Sequence, residues 1–257
     1  MTASAIRLAG VSRRFGRTTA LDDVTAEVPS GIVCGLLGRN GAGKTTLMSI
    51  LAGHDRPSEG TVEILGRDPF EQRAVMSSIS FIRDNQRYPE DFKLRHVLRV
   101  APRFHERWDA ELAAELVDEF RLPSRTTVKK MSRGQQSGLG IVIGLASRAP
   151  LTVFDEPYLG LDATARRIFA DRLLAARFEE AEPRTILLST HLIEEVSGFL
   201  GRAVLLHKGQ IVGDAQLSDL EEQGQTLMDY VKSSYHYQSD RVSRALSDLT
   251  GKEDTDA

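Results

Sequence analysis

The stretch Gly38-Arg39-Asn40-Gly41-Ala42-Gly43-Lys44-Thr45 constrains this chain more than any other. It satisfies the phosphate-binding pattern G-x-x-x-x-G-K-[ST] at every fixed position, and Thr46 follows it. The apolar run Ile32-Val33-Cys34-Gly35-Leu36-Leu37 just before it reads as a buried strand. Residues 46–52 after it are good helix formers, and Gly53 is placed to end that helix in the left-handed conformation. Strand, glycine loop and helix together form an anion site. Glycines let backbone N–H groups converge on a phosphate without Cβ clashes, and the helix N-terminus adds partial positive charge. Lys44 suits the β- and γ-phosphates of a nucleotide, and the Thr45 hydroxyl suits a magnesium ion.

The rest of the chain repeats the alternation of strand and helix. Ile6–Leu8 and Val24–Val28 read as short strands, with a turn at Arg13–Arg17 between them. Phe15 in that turn is either a small-cluster packing residue or a platform for a base. Gly60–Gly66 and Ile79–Ile82 read as further strands. From Tyr88 to Ala149 the pattern is helical: Leu94, Val97, Leu98 and Ala101 share a face, Asp109 caps a second helix and Ser132 a third. Strands return at Leu151–Asp155, Thr185–Ser189 and Ala203–Leu206, with helices over Ala163–Glu180 and His191–Leu200 and a hairpin at Lys208–Gly213. The alternation predicts a mostly parallel sheet covered on both faces, interrupted by a helical insert. Beyond Gln225 the chain is more polar; Val242, Leu246 and Leu249 could line a short helix, and residues 251–257 read as a frayed end.

A second constellation lies at Asp155-Glu156, two acids at the carboxyl end of a buried strand, where open α/β sheets place their ligand sites. Asp155 suits a magnesium ion, and Glu156 suits aligning or deprotonating a water. His191 ends the next strand on the same rim, within plausible reach of a γ-phosphate. The other histidines, His54, His96, His105, His207 and His236, show no ligand spacing. Met131-Ser132-Arg133-Gly134-Gln135 opens a helix with a glycine in its first turn. That costs helix stability but leaves a donor-rich N-terminus suited to an anion, one offered by a second copy because the phosphate loop already has its own.

Composition excludes several classes. The net charge of −3, from 33 basic and 36 acidic residues among 257, gives no basic field for nucleic acid. The single cysteine, Cys34, cannot form an internal disulfide, and no stretch approaches the length of a membrane span. No signal-peptide core opens the chain. A guanine reader of the Asn-Lys-x-Asp type is absent, since the two asparagines, Asn40 and Asn85, precede no lysine.

Taken together, these residues resemble the ATPase subunit of ATP-binding cassette (ABC) transporters over roughly residues 6–222. Gly38–Thr46 is similar to Walker A, Met131–Gln135 to the signature motif, Leu151–Glu156 to Walker B with its catalytic glutamate, Leu159–Asp162 to the D-loop and His191 to the switch histidine. The resemblance implies a P-loop NTPase core of RecA-like type with an N-terminal antiparallel β subdomain. It implies an ATPase domain over 1–224, with a helical subdomain inserted at about 88–149, and a partly helical tail over 225–257. ATP would be held by Gly38, Asn40, Gly41, Ala42, Gly43, Lys44, Thr45 and Thr46, with Phe15 stacked on adenine. Ser132, Gly134, Gln135 and Asp162 would act across a head-to-tail dimer. Thr45, Asp155 and either Asp84 or Gln86 would serve Mg²⁺, with Glu156 and His191 catalytic. The partners implied are a separate transmembrane permease subunit and a second ATPase subunit, on the cytoplasmic face of the membrane. Asp84, Tyr88-Pro89 and Trp108-Asp109 are similar to the bacterial ABC-2 export subgroup. Arg133 departs from the family, standing where the signature carries its first glycine. An alternative within the family is a soluble ATPase of translation or DNA repair.

Overall fold

The computed structural model of the chain describes residues 4–84, 86–178 and 184–235, with 177 and 178 described by their backbone alone. The expected helix through Val242, Leu246 and Leu249, the stretch 251–257, His236, Asn85 and the far end of the helix at Glu180 lie outside the described residues.

Two sheets carry the fold. β1 (Ser4–Phe15), β2 (Thr18–Pro29) and β4 (Glu59–Ile64) form an antiparallel sheet in the order β2-β1-β4. β3 (Val33–Leu37), β5 (Ile79–Ile82), β6 (Leu151–Asp155), β7 (Thr185–Thr190), β8 (Arg202–His207) and β9 (Gln210–Gln216) form the second, in the order β5-β6-β7-β3-β8-β9. All neighbours in it are parallel except the β8–β9 hairpin. β3, β6 and β7 are buried at every residue, as central strands covered on both faces must be.

Alternation along β3 divides the core. Cys34 and Leu36 face a cluster with Leu47, Met48, Ile50 and Leu51 of α1 (Lys44–Leu51) and the inner face of the small sheet. Val33 and Leu37 face the other cluster, which contains Leu139, Val142, Phe154 and Phe169. Each such buried aliphatic side chain contributes about 1.5–3 kcal/mol of hydrophobic free energy, which sets the loop between β3 and α1 on a firm base.

Between β5 and β6 run α3 (Leu94–Val100), α4 (Ala110–Glu119) and α5 (Arg133–Ala146), with α2 (Arg73–Met76) before β5. Asp109 caps α4 by accepting from the Leu112 N–H at 2.9 Å, and Ser132 caps α5, both at the positions the sequence predicts. α6 (Ala163–Phe178) follows β6, α7 (Ile193–Val196) follows β7 and α8 (Leu217–Glu222) follows β9. Residues 227–235 are helical as well.

Three expectations are corrected. β1 runs on to Phe15, and the turn is only Gly16-Arg17, because Arg13 and Arg14 stay in the ladder and pair outward with Asp55 and Glu59. The helix expected over His191–Leu200 shrinks to one turn, since Gly198 follows it and Phe199 and Leu200 fold into the core. The start of α5 is not bare: Ser132 Oγ accepts from Gln135 N–H at 3.2 Å and Gln135 Oε1 accepts from Ser132 N–H at 3.0 Å.

Candidate active site

The phosphate loop joins β3 to α1 at the carboxyl edge of the parallel sheet. Gly43 has φ 107°, and a Cβ there would lie 2.6 Å from the Ala20 carbonyl oxygen, so only glycine lets β2 pass this close behind the loop. The β8–β9 turn braces the same loop, with Gly209 N–H donating to the Ala42 carbonyl at 2.9 Å. Gly209 in turn accepts from Asp22 N–H, which ties loop, hairpin and small sheet together.

A cleft of about 1090 Å³ opens above the loop. Asn40, Gly41, Ala42, Gly43, Lys44, Thr45 and Thr46 line it from one side, and Asp84, Arg133, Asp155, Glu156 and His191 from the others. Residues far apart in the chain thus meet because β3, β6 and β7 are adjacent and in register, Leu37 opposite Thr190 and Asp155 opposite Ser189.

Lys44, Asp155 and Glu156 are 6%, 8% and 9% exposed. Lys44 Nζ donates to the Gly38 carbonyl at 2.6 Å and stands 3.2 Å from Glu156 Oε1. The second contact is an ion pair off the hydrogen-bond line, so Oε1 accepts no hydrogen bond from the described residues. Glu156 Oε2 faces His191 Nδ1 at 3.0 Å. Glu156 also has φ 48°, a strained conformation for a residue with a side chain, held by its N–H donating to the Ser189 carbonyl at 3.1 Å.

Asp155 is held differently. The Ser189 hydroxyl donates to its Oδ1 at 2.8 Å and Thr45 Oγ1 to its Oδ2 at 3.4 Å. Burial foremost, and then the Glu156 and Asp84 carboxylates, push its carboxyl above the usual carboxylate range, against the pull of the Ser189 bond. The Lys44 charge pulls the other way but does not cancel the rise, so the site leaves room for a cation arriving with a nucleotide. No group of three or more His, Cys, Asp and Glu side chains among the described residues forms a ready metal cage. That also fits magnesium, which takes one or two carboxylates and fills its shell with phosphate oxygens and water.

Of the two alternatives for the residue after β5, Asp84 lines the phosphate-loop cleft and Gln86 does not. Arg133 meets Asp84 there at 3.2 Å. Gln86 lines an adjoining groove of about 650 Å³ that Asp84, Arg133, Asp155 and Glu156 also line and to which no phosphate-loop residue contributes. Phe15 is half exposed at the end of β1 and is not among the cleft's lining residues; the Arg13 guanidinium covers one face of its ring at 4.5 Å. Ser132, Gly134 and Gln135 do not line the cleft either. A Cβ on Gly134 would collide with the Gly160 carbonyl oxygen, so this glycine lets the start of α5 abut the loop after β6. Asp162 is engaged in its own chain, its Oδ1 accepting from Ala165 N–H at 2.8 Å to cap α6. Sequence reasoning gave no role to Ser189, and it took Arg133 only as a departure from a motif. For Ser189 the signal was its place one strand over from Asp155 at the same sheet edge.

The sequence pattern of the ABC transporter family matches residues 21–159. Nod factor export ATP-binding protein I of Rhizobium johnstonii is 32% identical over 225 residues, which cover 85% of this chain and 71% of that protein. Its namesake from Sinorhizobium fredii is 34% identical over 212 residues, 80% of this chain and 61% of that protein. A solved ATP binding subunit of an ABC transporter superposes with a TM-score of 0.80 at 26% identity, covering 90% of this chain and 99% of that one. A dimeric ATP-binding cassette in a post-hydrolysis state with ADP and Pi shares the fold, with a TM-score of 0.72 at 21% identity over 82% of this chain and 98% of that one. These relatives do not favour the translation or repair alternative. With the family's pattern running over more than half of its length and such relatives aligned along most of it, the chain belongs to the ABC transporter family, as an ATP-binding subunit and an ATPase.

Proposed function

We propose that this subunit powers an exporter by closing head to tail on a second ATPase subunit and passing that closure to a separate transmembrane permease. The named relatives support export, since they are Nod factor export proteins. Likeness to export ATP-binding proteins supports a permease partner and a peripheral place on the inner membrane face; no helix among the described residues is long and apolar enough to cross a membrane. In this reading residues 1–224 are the ATPase domain, with the helical segment 88–149 as its insert and 225–257 as a tail.

The observation that carries the chemistry is Glu156, strained at φ 48° and held between Lys44 and His191. The phosphate-loop N–H groups take the phosphates. Lys44 leaves the Gly38 carbonyl and Glu156 for the β- and γ-oxygens. Thr45 and Asp155, with Asp84, would hold a magnesium ion, which neutralises phosphate charge when bound. Freed of Lys44, Glu156 orients and deprotonates the attacking water, and His191 holds its other oxygen in place. Ser132, Gly134, Gln135 and Asp162 act toward the partner's nucleotide. Phe15 stacks on adenine with the ring face that Arg13 leaves open.

Glu156→Gln tests this. The variant keeps shape and hydrogen bonding but cannot take the proton, so ATP hydrolysis should fall by about 10²–10⁴-fold while nucleotide binding persists. Hydrolysis at the wild-type rate would remove Glu156 as the base.

A further inference from the structure

Arg133 lines the cleft and pairs with one of its acids, yet the proposed function gives it no task. It is the first residue of α5, beside the cap Ser132, and its backbone is confined by the loop at Gly160. From there its guanidinium reaches the loop after β5. Its terminal nitrogen donates to Asp84 Oδ1 at 3.2 Å and lies 3.5 Å from Oδ2, so both carboxylate oxygens share one donor. Both side chains line the phosphate-loop cleft together with Lys44, Asp155 and Glu156.

The charges in the cleft fall into a pattern. Of its three acids, Glu156 forms an ion pair with Lys44 and Asp84 one with Arg133, while Asp155 has hydrogen bonds from the Ser189 and Thr45 hydroxyls and feels Lys44 only as a minor charge. Two of the three thus have a direct ion pair within the chain. Lys44 must move to the phosphates when nucleotide enters. Asp84 can serve a divalent ion only if the guanidinium yields it, because a cation on one carboxylate repels a second.

We propose that Arg133 is an intrachain counter-cation for Asp84 that competes with the divalent ion arriving with the nucleotide. It holds Asp84 in the nucleotide-free chain and releases it on metal binding, so the same event frees the start of α5 from the loop after β5. The proposal rests on the reading of Asp84 as a metal-side residue. Arg133 is a positioning residue in this account: it acts through Asp84 and touches no reacting atom.

The full-length chain tests it without turnover. The quantity read is the gain in affinity for AMP-PNP on adding saturating Mg²⁺, as the ratio of Kd in EDTA to Kd with the metal, by calorimetry. Removing the competitor in Arg133→Ala should raise that ratio by about two- to fivefold, the range of a partly exposed ion pair. Arg133→Lys, which keeps the charge, should return it most of the way to wild type. Asp84→Asn should lower the ratio, and adding Arg133→Ala in that background should change nothing further. Thermal melts confirm that each variant is folded. An Arg133→Ala ratio at or below wild type, or a rise that survives Asp84→Asn, overturns the proposal alone. A ratio unmoved by Asp84→Asn removes the metal-side reading of Asp84, and the proposal with it.

Discussion

At the scale of single residues, the cleft is a set of charges arranged for a guest. Lys44 and Glu156 form an ion pair at 3.2 Å, whereas Asp155 is buried beside like charge with only hydroxyls as hydrogen-bond donors. Its carboxyl is pushed above the ordinary range, so the nucleotide-free fold binds that proton more tightly than the unfolded chain does. The stability this contributes is full below the unfolded carboxylate value and is lost as pH rises through the raised folded value. Asp155→Asn keeps an acceptor for Ser189 and removes the titration. Without nucleotide the variant should melt about 2–4 °C above wild type at neutral pH, with the gap closing toward acid, and should fail to hydrolyse ATP. Melting curves across the carboxylate range check this; parallel pH profiles for the two proteins would count against an ionised, uncompensated Asp155.

At the scale of elements, the described part of the tail is docked against the ATPase fold. Leu227 and Val231 of helix 227–235 are buried in the same cluster as Leu205 of β8. The Tyr230 hydroxyl accepts from the Asp214 N–H of β9 at 2.9 Å, and the Tyr235 ring meets His207 edge-on at 5.3 Å between centroids. Burial raises the Tyr235 hydroxyl pKa, and the charge and backbone of Arg39, inside the phosphate loop, oppose that rise. The tail helix thus leans on the hairpin that braces that loop. Leu227→Ala should weaken this docking by about 2 kcal/mol, at the low end for a buried leucine because one small element carries the loss. Limited proteolysis should then cut the tail before the rest of the chain, with little change in the main melting transition. A cleavage pattern like that of wild type would show that Leu227 does not hold the helix.

At the scale of the molecule, the edge formed by the carboxyl ends of β3, β6 and β7 carries the phosphate loop, the acids and His191. Within one chain Ser132, Gly134 and Gln135 do not line that cleft, which suits a contribution to a second copy's site. A head-to-tail dimer then predicts complementation. Lys44→Ala and Ser132→Arg chains should each lose ATP hydrolysis alone, because each breaks both composite sites. Mixed, they should recover part of it, since one of the two sites in the mixed dimer has both halves intact. Steady-state ATPase assays over mixing ratios read this directly, and no recovery at any ratio would argue against shared sites.

What the sequence by itself determined is whatever depends on local spacing. The phosphate loop, the buried strands that precede it and Asp155, and the caps at Asp109 and Ser132 are short-range patterns, in which hydrophobic period and side-chain capping act within a few residues. The single turn of α7 and the run of β1 to Phe15 were illegible because packing of Phe199 and Leu200, and pairing of Arg13 and Arg14 with Asp55 and Glu59, overrode local signals. Only the tertiary structure decided that Asp84 rather than Gln86 lines the phosphate-loop cleft, that Ser189 supports Asp155, and that Arg133 lies on Asp84, 49 residues away. The physical reason is common to all three. Which side chains meet across a cleft is set by strand order and loop path, and neither leaves a periodic trace in the residues concerned.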